Sequence, residues 1–115
     1  MKIASAVLIA GIAGAAQAQS CADRTKHVGE CFVVHGRLSH YNGGTSARIW
    51  PVGSKRMLGV LDERLPANIS EHMRGFDDQT FADFEVCPLT KQKPGKMQLV
   101  CIRSAAKPVF KKRRS

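Results

Sequence analysis

The chain is 115 residues long and 43% hydrophobic, with 18 lysines and arginines against 9 acids, four cysteines and a formal charge of +9. That length holds one small domain with a modest core and excludes a two-domain enzyme. The apolar run from Ile3 to Ala16, fourteen residues rich in Ala and Gly, falls short of the ~20 that a membrane-spanning helix needs.

The first eighteen residues, MKIASAVLIAGIAGAAQA, combine a cation at Lys2, that apolar run and the small-residue ending Ala16-Gln17-Ala18. This three-part pattern is that of a secretory signal peptide cleaved after Ala18. It predicts export, to the periplasm or the medium, with no transmembrane anchor after cleavage. A lipoprotein reading is the weaker one, because Cys21 follows Ala18-Gln19-Ser20 and not a Leu-led small-residue box. Removing 18 residues from 115 leaves a mature chain of 97, and removing Lys2 with them lowers the charge by one, to +8.

All four cysteines, Cys21, Cys31, Cys87 and Cys101, lie in the mature part. An even count in a small exported chain predicts two disulfides, because such a domain buries too little surface to be comfortable without cross-links. Their separations of 10, 56 and 14 residues contain no close pair of the kind a structural zinc site uses, so no metal is expected.

In chain order, CFVVHGRLSHY (31–41) is rich in β-branched and aromatic residues and runs into Asn42-Gly43-Gly44, a tight-turn signal. Residues 46–52 then set Ala47 and Ile49 against Arg48, Trp50 and Val52, the period of a half-buried strand. Pro51 and Gly53 predict a bend before a third strand over 55–61. A short helix is expected from Pro66 to Gly75, with Ile69 and Met73 four apart. Strands over 80–89 and 96–103 flank a KQKPG turn. If that hairpin centres on Pro94, Cys87 lies opposite Cys101, which predicts the pairings Cys87–Cys101 and Cys21–Cys31.

Three strands, one short helix and two more strands predict a mainly β fold. The arrangement expected is a small five-stranded OB-like barrel, the oligonucleotide/oligosaccharide-binding fold, spanning residues 19–105 with two disulfides. Another small five- or six-stranded barrel or sandwich is the competing architecture. Gly36, Gly43, Gly53 and Gly59 read as backbone devices of a strongly curved sheet. Residues 106–115 are expected to form a disordered basic tail, because Pro108 and four consecutive cations discourage regular structure. Lys107, Lys111, Lys112, Arg113 and Arg114 supply five of the eight net charges, leaving the domain itself at +3.

The stretch GRLSHYNGGTSARIWPVGSKRMLGV, with FEVCPLT and MQLVCIRSA further on, resembles a family of small exported bacterial proteins of unknown function that share the pattern VHGRLS, NG, RIWPVG and R-x-LGV. The resemblance spans most of residues 31–105. It implies an exported two-disulfide β-domain and no particular ligand.

No catalytic residues and no cofactor are expected. His35 and His40 are five apart on one strand and point to opposite faces, while His27 and His72 have no motif around them. Ser39 and His40 are adjacent and face apart, and there is no nucleophile elbow. Asp77, Asp78, Asp83 and Glu85 read as a solvated acidic patch.

The candidate ligand-binding residues are Arg37, Tyr41, Arg48 and Trp50, an aromatic and basic cluster on the first hairpin that could stack a sugar ring or base and meet an anion. Trp50, the single tryptophan, has the core as its first reading and a ligand platform as its second. The chain is therefore read as a monomeric, non-catalytic binding or structural module of the bacterial envelope. Its basic tail would seek an anionic envelope polymer or membrane surface, and nucleic acid only non-specifically. A small nuclease- or glycanase-like enzyme on an OB-like barrel, built on the acidic patch with Arg37 and Arg48, is the alternative.

Overall fold

The computed structural model describes residues 19–61 and 65–113. The expected signal peptide, residues 1–18, lies outside them. Among the described residues no helix is long and apolar enough to cross a membrane.

Five strands carry the fold: β1 (Phe32–His40), β2 (Ala47–Pro51), β3 (Leu58–Val60), β4 (Asp78–Pro88) and β5 (Gln98–Lys112). A four-residue helix, α1 (Gln19–Ala22), and a 3-10 turn (Arg24–Lys26) precede them, and a second helix, α2 (Ala67–Ser70), lies between β3 and β4. The predicted order is thus present. The helix is a single turn, shorter than Pro66–Gly75, because only Ile69 of that turn is buried and the chain then bends back through Met73 into β4.

β1 pairs antiparallel with β2 on one side and with β4 on the other. β4 pairs antiparallel with β5, β5 runs parallel beside β3, and β3 returns antiparallel to β2. Every strand therefore has two neighbours, and the sheet closes on itself in the order β1-β2-β3-β5-β4. Closure gives the period-2 alternation its meaning, since one face of every strand turns inward. Leu38, Ile49, Leu58, Val60, Ala82, Phe84, Val86, Val100 and Ile102 fill the interior, and Ile69 and Met73 complete it.

Gly36 sits at a close approach of β1 to β2. A methyl group there would lie 2.6 Å from Ile49 Cγ2 and 3.0 Å from the Trp50 carbonyl oxygen, so the close approach of β1 to β2 requires glycine. Pro51 ends β2 beyond the reach of β3, which pairs only with Arg48 and Ile49, so its missing N–H interrupts no ladder.

The end of the chain differs from expectation. Residues 106–112, expected as disordered tail, continue β5, with Val109, Phe110, Lys111 and Lys112 opposite Phe81, Thr80, Gln79 and Asp78. The strand survives Pro108 because the register shifts there. Ala82 faces Lys107 and Pro108 together, Lys107 takes a positive φ of 54°, and the proline falls where no ladder bond is asked of it. A second shift inserts Arg103 between the pairs Val86–Ile102 and Glu85–Ser104, which is why inward residues on β5 change parity from Ile102 to Ala105.

The disulfides also differ from expectation. Cys87 and Cys101 are direct cross-strand partners, as the hairpin centre predicted. Yet the bridges are Cys21–Cys101 and Cys31–Cys87. Phe32 pairs with Val86, so one residue further on Cys31 lies against Cys87 on the side away from β5. Cys87 thus has a possible partner on each flanking strand, and hairpin arithmetic sees only one. With Cys87 joined to Cys31, Cys101 is closed by Cys21, delivered by α1. The bridges enclose a small second core with Leu89, outside the main one.

Candidate functional site

The four residues singled out on the first hairpin lie on the outer face of the closed sheet. Cα pairing sets Arg37 opposite Trp50, and the Arg37 guanidinium lies 4.9 Å from the centre of the indole. Arg48 lies 4.8 Å over the Tyr41 ring and is tied down by the Thr45 and Gly44 carbonyls, which accept from Nε and Nη2 at 2.9 and 3.3 Å. The structure thus brings them together as two cation–π pairs. Trp50 is half-buried and stands outside the main core, which corrects the first reading of this residue. An arginine does cover its ring, but through the charged guanidinium and not only through its aliphatic stem.

The register of β1 with β4 adds a residue that local reading missed. Arg37 is also the partner of Phe81, and Lys111 Nζ lies 5.4 Å from the centre of that ring. Trp50, Arg37, Phe81 and Lys111 therefore form an alternating aromatic and cationic row across β2, β1, β4 and β5. Alternation along 80–89 assigns Phe81 to the face of Asp83 and Glu85. No local signal reveals that this face adjoins Arg37. Arg37 Nε in the row, and Ser39 Oγ two residues further along β1, are buried and have no hydrogen-bond partner among the described residues.

The carboxylates do not converge. Asp83 accepts from or pairs with His35 Nδ1 at 2.9 Å, and Glu85 lies 4.0 Å from Arg103 and accepts from Ser104 Oγ. Asp78 points the other way, receiving the backbone N–H groups of Arg74 and Gly75 and the Lys112 ammonium. Its carboxyl is held down at about 2, first by Lys112 and then by those two N–H donors. These contacts explain Asp78, Asp83 and Glu85 as braces of β4 and its entry turn. The remaining histidines are also dispersed: His40 Nε2 meets the Met73 carbonyl, and His72 stacks on Phe110 at 3.7 Å. Cys21, Cys87 and Cys101 offer sulfur atoms within 4.8 Å of one another, and His27 joins Cys31 and Cys87 in the same way. In disulfides these sulfurs are not thiolate ligands.

Of the tail cations, Lys112 is paired with Asp78 and Lys111 with the Phe81 ring, Lys107 occupies the bulge, and Arg113 donates its backbone N–H to Asp77. Arg114 lies outside the described residues. No family model, curated protein or solved structure matches this chain.

Proposed function

We propose that this protein is an exported, non-catalytic binding module of the cell envelope, built on an OB-like barrel. The order of elements and the parallel pairing of β3 with β5 support the barrel assignment. The observation that carries the binding role is the position of Trp50, half-buried on the outer face and facing Arg37 instead of filling the core. An indole and a guanidinium side by side suit a ligand that offers both a ring and an anionic group, such as an acidic envelope polysaccharide. Tyr41–Arg48 and Phe81–Lys111 extend the same chemistry on either side, and the exposed cations of the last strand add attraction at longer range.

The single tryptophan is its own reporter. Titration with an acidic polysaccharide should change Trp50 fluorescence saturably, a neutral polysaccharide should not, and Arg37→Gln should weaken the response about tenfold or more. Binding without a fluorescence change, or undiminished by Arg37→Gln, would place the affinity elsewhere.

A further inference from the structure

The turn after β2 and the loop between β4 and β5 meet at one end of the sheet, where parallel pairing sets Leu58 of β3 beside Gln98 of β5. Between them lies a cleft of about 370 Å3 whose lining includes Lys55, Arg56, Lys93 and Lys96, and Lys91 stands on an adjoining depression. Among the described residues no acid lines either one. The ion pairs among the described residues involve other cations altogether, Arg103 and Lys112, besides His35. Five like charges gathered without a counter-charge repel one another, and an anion seated among them removes that penalty.

The cleft is also held in shape. Gly53, at φ +87°, turns the chain out of β2. Trp50 Nε1 then donates to the Ser54 carbonyl at 2.8 Å, and the Ser54 hydroxyl donates to the Pro51 carbonyl and accepts from the Arg56 amide. The Arg56 guanidinium donates through Nη2 to Gln98 Oε1 at 2.7 Å, while Gln98 Nε2 donates to the Thr90 carbonyl. One edge of the guanidinium is thereby fixed by a neutral amide, which orients the fork without spending its charge on a carboxylate.

We propose that this cleft is a second binding site, separate from the aromatic row, for a compact anion carrying clustered phosphate groups. A planar Arg fork with several lysine point charges around it suits oxyanions of high charge density. The cations do not continue as a track. Lys107, Lys111 and Lys112 lie toward the other end of β5, nine to fourteen residues and roughly 30–45 Å of extended chain away. A compact anion therefore fits better than a long polymer backbone.

The test is an amide NMR titration of the protein with inorganic tripolyphosphate at low salt. Saturable shifts are expected at residues 54–57 and 90–98. Arg56→Gln, and separately the paired change Lys93→Gln with Lys96→Gln on the exposed loop, should each raise Kd about tenfold or more. Lys107→Gln with Arg113→Gln removes the same charge at the far end of β5 and should change Kd less than about twofold, because exposed charges beyond ~10 Å are largely screened. Equal weakening by both paired changes, or shifts that never saturate, would overturn the site. Trp50 and Arg37 are untouched in these variants, so a failed cleft and a failed aromatic platform give different results.

Discussion

Asp78 and Lys112 meet at 2.7 Å at the last pairing of β4 with β5, so the end of β5 is docked by a carboxylate that also caps the turn at Arg74 and Gly75. Because folding lowers the Asp78 pKa from 3.8 to about 2, its contribution is present above pH ~4 and is lost as pH falls toward 2. Amide exchange at residues 109–113 should accelerate over that window. Asp78→Asn should give fast exchange there already at pH 7 and remove the acid dependence. Equal protection in the variant and the parent would contradict this docking.

Non-reducing peptide mapping should recover Cys21 joined to Cys101 and Cys31 joined to Cys87, whose sequence separations are 80 and 56. Bridges closing such long loops are worth about 4 kcal/mol each, taken singly, in the chain-entropy model, against about 3 for the local pairings suggested by sequence. Replacing Cys31 and Cys87 together by alanine should therefore lower unfolding free energy by about 2–5 kcal/mol. A Cys87–Cys101 peptide would show that β1 does not lie against β4 as described.

Gly36→Ala should destabilise by about 1–3 kcal/mol, since the added methyl meets Ile49 and the backbone of Trp50, which cannot move aside as a flexible side-chain end could. Gly44→Ala, where nothing lies within 4 Å of the added carbon, should stay within ~0.5 kcal/mol of the parent. Chemical denaturation of the two variants makes the comparison. Similar losses in both would mean that β1 and β2 are not so close at Gly36.

Trp50→Ala should cost about 1–2 kcal/mol, a half-buried ring and one cation–π pair, whereas Phe84→Ala in the fully buried core should cost about 3–5. If removing Trp50 proves as damaging as removing Phe84, the tryptophan is a core residue and the outer-face platform fails.

By itself the sequence determined what short-range chemistry controls. The β-branched and aromatic residues of 31–41 and the alternation along 46–52 and 80–89 marked strands, Asn42-Gly43-Gly44 marked the first turn, and the spacing about Pro94 set Cys87 opposite Cys101, because each depends on residues within one hairpin. The aromatic and basic cluster at Arg37, Tyr41, Arg48 and Trp50 was legible for the same reason. Tertiary structure alone decided that β1 lies against β4 and β3 against β5, pairings between residues about 40 or more positions apart. From that closure follow the exchange of disulfide partners, the addition of Phe81 to the aromatic row and the meeting of Lys55 and Arg56 with Lys93 and Lys96. The last strand shows the same division. Locally, Pro108 and a run of like charges oppose a strand, but the long edge of β4, a bulge at Lys107 and the carboxylate of Asp78 supply ladder bonds and a counter-charge that no local pattern contains.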